Sequence, residues 1–387
     1  MDFALTEEQE FIQDTVRRFL ARECPRDVAR DLDEKRLFPE ELLNRLAVTG
    51  LCALCNPEAY GGGGRNLLGA ALVVEELSAL CPALAGAFAR VVLGGGWAIS
   101  ELGSEEQKSE WLPKIAQGAL LFTCAAAESA VDGDPDEVQT MAAREGDLFR
   151  LNGAKVFAPL AHHADFILTL ARTAPERTLS FFVVGAKAPG VRITEVEQIG
   201  LRGASACRVD FEDVRVSADD VLGGASPQNQ ARQQYRAIRA AEHVETAALA
   251  LGIAQGAFAY AAGYAGERVQ FGQPIDRFEA IQHMLVDMAI EVEASRLLLY
   301  RACGLADQGK PFEAAAAIAE AHAVGFARKA ALQGLHILGG YGFTMEYDAQ
   351  RYVRDSLALL SGSEPVEVLK SAVGEMLGIG ARKKACR

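Results

Sequence analysis

A chain of 387 residues with half of its composition apolar can bury a large core and is long enough for two or three domains. Its formal charge of −13 and pI near 5.1 would be repelled by nucleic acid and by anionic membrane surfaces, which leaves small molecules and proteins as partners. Eight cysteines scattered at positions 24, 52, 55, 81, 124, 207, 303 and 386, behind an opening MDFALTEEQE with no apolar signal segment, are what a protein of the reducing cytoplasm is expected to show.

In chain order, the first third reads as helices with clear starts. Thr6 and Gln9 fit a capping box before an apolar stripe of Phe11, Ile12, Val16, Phe19 and Leu20, and Ser104 with Gln107 fits another. Helices are also expected over 40–49, 66–80 and 85–101. Cys52 and Cys55 form a C-x-x-C with no second pair at ligand spacing, so they read as small apolar residues of a buried strand entering the Gly61 to Gly64 turn. From about residue 119 the period shortens: LLFTCAAA, DLFRLNGAKVF, DFILTLAR, TLSFFVV and VDFEDVRV are strand-length runs parted by turn residues such as Asn152-Gly153. From about residue 228 long helical patterns return at 230–268, 278–309, 312–339 and 364–378, broken at Pro274, Pro311 and Gly339-Gly340. Thr246 to Gly266 carries no charge, and its Ala, Gly and Gln255 content fits a helix packed inside a bundle better than a membrane span. The expectation is an α+β protein: an N-terminal α-helical domain over 1–118, a central antiparallel β-domain over 119–227 and a C-terminal four-helix bundle over 228–387.

Several catalytic patterns are missing. Gly61 to Gly64 does not follow a βα pattern with a later acidic partner, so it is no dinucleotide loop, and no Ser/His/Asp set or metal-spaced cluster occurs. His162-His163 reads as a solvated pair in a loop.

The order helix, β, helix meets five local signatures that together resemble the acyl-CoA dehydrogenase family over essentially the whole length. They are Asp2 to Gln9, Pro57-Glu-Ala-Tyr-Gly-Gly62, the Gly203 to Val216 run, Glu267-Arg268-Val-Gln-Phe271-Gly272, and Ile337-Leu-Gly-Gly-Tyr-Gly-Phe343 with Glu346-Tyr347 and Arg354-Asp355 after it. The resemblance implies FAD as cofactor and a reaction in which a carboxylate removes the α proton of an acyl-CoA thioester while a hydride leaves the β carbon. It also implies electron transfer to an electron-transferring flavoprotein, no metal, and a homotetramer or a heterotetramer with a paralogue.

The family places its base at one of two positions. Nine residues after Arg354 stands Ser363 rather than the usual Glu, although Glu364 is adjacent; a serine alone is too weak a base. The other position lies thirteen residues before the Gln of a Gly-x-x-Gln turn, and counting back from Gln255 gives Glu242, which is favoured over Glu364. The alternative for Glu242 is a solvated helix carboxylate beside His243 and Glu245. On the flavin side the family's Thr-Glu-Pro segment corresponds to Ala127-Glu128-Ser129, preceded by Ala125, and its Gly-Ser-Asp to Asp132-Gly133-Asp134. Its aromatic-x-Thr corresponds to Phe157-Ala158-Pro159, which keeps the aromatic plate and loses a hydroxyl. Glu279 and His336 stand where Gln is common, and Glu367 closes the base loop. Arg268, Phe271, Gly339 and Gly340 match the residues by which one subunit clasps the ADP half of its neighbour's flavin. The residues support two readings: a dehydrogenase with its base at Glu242, or a non-catalytic partner that lends its clasp to a catalytic paralogue.

Overall fold

Two capping boxes start helices where the sequence places them. Thr6 Oγ accepts the Gln9 amide at 3.3 Å while the Gln9 side chain accepts the Thr6 amide at 3.0 Å, and Ser104 and Gln107 repeat the exchange. The computed structural model describes residues 4–128, 135–174, 178–224, 230–361 and 366–379. The first helices are α1 (Glu7–Glu23), α2 (Arg26–Lys35), α3 (Glu40–Ala47), α4 (Leu67–Ser78) and α5 (Pro82–Ala89). Ile12, Val16, Phe19 and Leu20 of α1 are buried, but Phe11, expected in the same stripe, faces outward. Cys52 and Cys55 are buried as expected, yet the local structure is a 3-10 turn (Leu51–Ala53) and not a strand. All seven described cysteines are free thiols.

The helix expected over 85–101 is interrupted. After α5 comes a π-helical stretch, Arg90–Trp97, then α6 (Ala98–Leu102) and α7 (Glu105–Ala116). Close approach accounts for the glycines of this stretch: a Cβ on Gly94 would lie 2.6 Å from the Phe122 carbonyl, and one on Gly96 would lie 3.0 Å from Asn56 Oδ1.

The β-domain is built from β1 (Phe122–Ala125), β2 (Met141–Glu145), β3 (Leu148–Pro159), β4 (Phe166–Ala174), β5 (Leu179–Gly185), β6 (Val191–Glu195) and β7 (Ala206–Ser217). Four pairings are antiparallel, as expected; β1 and β2, however, both run parallel to β4, so the sheet is mixed. Its own core gathers Phe149, Leu151, Phe182, Val209 and Phe211. Leu168, Leu170 and Phe181 belong instead to the helical core, which locks the β-domain onto the helices.

The C-terminal helices are α8 (Ala231–Glu267), α9 (Glu279–Asp307), α10 (Glu313–Ile337), α11 (Ala349–Ala358) and α12 (Val366–Met376). Residues Val244 to Ala254 of α8 are fully buried, whereas the helix is partly exposed from Phe258 onward. Contact with α4 is close: a Cβ on Gly252 would meet the Glu75 carbonyl at 2.2 Å, and one on Gly256 the Ala79 carbonyl at 2.2 Å. The crossing also carries a buried polar knot, with Arg296 Nε donating to Glu75 at 3.0 Å and Tyr300 to the same carboxylate at 2.9 Å.

Arg354-Asp355 turns out to be a joint between the three regions. It lies on α11, a helix outside the expected set. Arg354 donates to both Asp33 oxygens at 3.0 and 2.5 Å, and Asp355 accepts the Leu201 amide at 2.7 Å. Burial pushes the Asp355 carboxyl up to about 6, so its ionisation opposes folding. The penalty is absent below the ordinary aspartate range and grows as pH rises through about 6. Asp355→Asn keeps an acceptor for Leu201 and is expected to change stability little near pH 4 but to raise it by ~1–3 kcal/mol near pH 8. Urea unfolding at both pH values tests this; an equal effect at both would remove the carboxyl's burial as the cause.

Candidate functional site

Glu242 sits near the start of α8, facing the π-helical stretch. Together with Arg90, Leu93, Trp97, Cys124 and Glu245 it lines a pocket of about 10 Å³, room for about one water molecule. Arg239, one helical turn earlier, donates from Nη1 to Glu242 Oε2 at 2.7 Å and so fixes the carboxylate's orientation. Arg90 Nη1 lies 3.9 Å from Glu242 Oε1, and Arg90 also pairs with Glu245. Burial lowers the Arg90 pKa, while the Glu242 charge opposes that shift. The Cys124 thiol is pushed up by burial and then by Glu242, which leaves it a neutral wall. Glu242 is 15% exposed, and neither neighbour is solvated: Glu245 turns to Arg90, and His243 to Glu320 on α10.

A second wall lies on the β-domain. A bulge between Lys155 and Ala158 breaks the inward and outward alternation of β3. Ala158 is therefore buried, and Phe157, held at φ 56°, is 43% exposed. Beside it, the Ala127 carbonyl accepts the Val156 amide at 2.9 Å, and Thr123 donates to the Pro159 carbonyl at 2.6 Å. Ala125 is buried in β1. Lys155 ties the two segments together, donating to the Ala126 carbonyl at 3.1 Å and to Glu128 at 2.8 Å. An outward aromatic plate beside a fixed main-chain segment fits a flat ring such as a flavin's. Gly133 and Glu364 lie outside the described residues.

A third group collects at the far end of α8. Arg268 caps the helix, with its guanidinium 5.6 Å from the Tyr341 ring centroid, and Gly339 and Gly340 adjoin that ring in sequence on the exposed surface. Phe271 and Gly272, at φ 51° and 82°, turn a short hairpin of Val269–Gln270 and Gln273–Pro274 that leaves Phe271 92% exposed. His336 is exposed on the last turn of α10. Glu279, opening α9, and Glu367, on α12, are exposed as well and belong to none of these walls. The 26 residues from Glu242 to Arg268 span roughly 39 Å of helix, so Arg268 and Glu242 of one chain do not serve the same small site.

Three adjoining family descriptions match the chain: the acyl-CoA dehydrogenase N-terminal domain over residues 6–119, the middle domain over 123–214 and the C-terminal domain over 234–377. The probable acyl-CoA dehydrogenase YngJ of Bacillus subtilis is 32% identical over 97% of this chain and 100% of its own length. The chain belongs to the acyl-CoA dehydrogenase family. Two solved relatives agree along the whole fold. Butyryl-CoA dehydrogenase from Megasphaera elsdenii superposes with a TM-score of 0.92 at 29% identity, covering 97% of this chain and 100% of that one. A chain solved in work on the electron transferring flavoprotein of Acidaminococcus fermentans has a TM-score of 0.92 at 32% identity, covering 97% and 99%.

Within this acyl-CoA dehydrogenase fold, sequence reasoning missed Arg90, Arg239, Lys155 and the role of Glu128. A signal for Arg90 was present, because it is the single charge in the apolar run from Cys81 to Ser100.

Proposed function

We propose that this chain is an FAD-dependent dehydrogenase that removes the α proton and the β hydride of an acyl-CoA thioester, with Glu242 as the base. The observation that carries this reading is the position of Glu242: on the wall of a largely apolar pocket, oriented by Arg239 at 2.7 Å, between the bundle and the β-domain. Glu242 takes the α proton, and Arg239 keeps its carboxylate aimed while that happens. Phe157 and the main chain from Ala125 to Ala127 would hold the flavin ring on the β-domain side. When bound, FAD supplies the acceptor for the β hydride. The likeness to the chain from the Acidaminococcus work supports an electron-transferring flavoprotein as the next acceptor.

The separation of Glu242 from Arg268 supports a tetramer in which Arg268, Phe271 and Gly339-Gly340 reach the FAD of a neighbouring copy. Arg268→Ala is then expected to lower FAD per chain by at least half, measured as flavin absorbance against protein, with little change in helix content. Retention of full FAD by a monomeric Arg268→Ala protein would remove the clasp. Ala127 and Pro159, which stand where the family has ring-side hydroxyls, favour the second reading, a partner subunit of a mixed tetramer. The chain purified alone separates the two. Stoichiometric flavin that is bleached by an acyl-CoA establishes the dehydrogenase, and a flavin-free chain that becomes loaded only beside a paralogue establishes the partner.

A further inference from the structure

Glu242 stands on a stretch of α8 that packing alone grips weakly. Further along, Gly252 and Gly256 let the helix press against the main chain at Glu75 and Ala79, but Gly252 lies ten residues on, roughly 15 Å from the turn that carries the carboxylate. Around Glu242 the buried neighbours on the helix include Ala240, Ala241, Ala247 and Ala248, whose methyl groups offer shallow resistance to rotation about the axis. Directional contacts supply what the methyl groups lack. Glu245 pairs with Arg90 of the π-helical stretch, and His243, 7% exposed, bonds through Nδ1 to Glu320, 2% exposed, on α10, the helix packed along α8. An ionised carboxylate only accepts, so with Glu320 ionised Nδ1 carries the hydrogen. Glu320 is engaged by a further group as well, which makes it a fixed anchor. Small rotations have large consequences at this place. Side chains reach roughly 5–6 Å from a helix axis, so a turn of roughly 10° carries a carboxylate ~1 Å. A misplacement of ~1 Å can slow a reaction by about 100-fold.

We propose that His243 is a positioning residue for the reaction: its bond to Glu320 sets the rotation of the early part of α8 and thereby aims the Glu242 carboxylate. The proposal rests on the reading of Glu242 as the base. His243 and Glu242 are neighbours on the helix and point roughly 100° apart, so one can face the bundle while the other faces the pocket.

The test compares two substitutions in the purified full chain. His243→Leu removes the donor and keeps bulk, whereas His243→Asn keeps an N–H where Nδ1 stands. His243→Leu is expected to slow flavin reduction by acyl-CoA about 10-fold or more while KM changes by less than about 2-fold, and His243→Asn to retain most of the parental rate. In the Glu242→Gln background, His243→Leu should cost no additional rate, because its effect passes through Glu242. Crystal structures of the parent and of His243→Leu read the cause directly, whether or not the chain turns over: the Glu242 carboxylate should move by ~1 Å against Leu93 and Trp97. Should His243→Leu alone fail to fold with Glu320 stranded, the paired change His243→Leu with Glu320→Leu takes its place, with the same displacement expected. An unmoved Glu242 carboxylate overturns the proposal, and so does an equal rate loss in the Glu242→Gln background. Failure of the base reading looks different: Glu242→Gln then reduces flavin at the parental rate, while the crystal structures still decide whether His243 aims the carboxylate.

Discussion

Glu242→Gln is expected to lower the rate of flavin reduction by acyl-CoA by at least ~10²-fold, the usual loss when a general base is removed. The substitution is nearly isosteric, and its amide oxygen still accepts from Arg239, so the 2.7 Å contact and the fold survive. Flavin content and thermal stability should therefore match the parent, and the loss should fall on the reductive step alone, which stopped-flow absorbance isolates. Glu364→Gln is the control. If Glu364→Gln abolishes reduction while Glu242→Gln leaves it intact, the base belongs to the loop after α11 and not to α8. Arg239→Met adds a second readout. Because Arg239 acts on the reaction through Glu242, its loss should reduce the rate less than Glu242→Gln, and the two changes together should cost little more than Glu242→Gln alone.

Lys155→Met is expected to destabilise the protein by about 3 kcal/mol, the lower end of the cost of breaking a buried ion pair from one side. Lys155 has no exposed side-chain surface, and its partner Glu128 is 17% exposed. Burial lowers the Lys155 pKa and Glu128 opposes that shift, so the ammonium depends on this one carboxylate. Glu128 also accepts the Gln139 and Thr140 amides at 2.6 and 2.8 Å, so the loss would loosen the segment after β1 as well as β3. Flavin should be lost along with stability, because Ala127 and Phe157 are the two sides of that link. The double change Lys155→Met with Glu128→Gln should recover part of the loss, since no carboxylate is then stranded. Denaturant unfolding of the three variants decides it; a single-variant effect under ~1 kcal/mol would mean that the pair is surface decoration.

Much of the architecture was legible because it is local. The capping boxes at Thr6 and Ser104 and the long patterns of α8, α9 and α10 involve residues three to seven apart, and the structure shows them where expected. What was missed depends on distant partners. The parallel pairing of β1 and β2 with β4 leaves no mark in the alternation of any one strand. Simple alternation would turn Phe157 inward with Lys155; a bulge sends it out, and nothing in LNGAKVFAP announces the extra residue. Glu242 was found by counting from Gln255 along one helix, whereas Arg90 and Glu245 meet only because α8 crosses the π-helical stretch.

The π-helical turn also means that the pocket is set partly by how many residues the segment contains. An extra residue looped into a helix as a π turn is absorbed there, so deleting one residue returns the stretch to α-helix with its flanks in place and re-aims only the side chains within it. Shortening Gly94-Gly95-Gly96 by one glycine would therefore re-aim the side chains between Arg90 and Trp97 against the pocket, although every side chain lining it would still be encoded. Across relatives, the length of this segment is therefore expected to report on the shape of this pocket independently of residue identity, and two chains that agree at every lining position but differ by one residue here should be grouped apart.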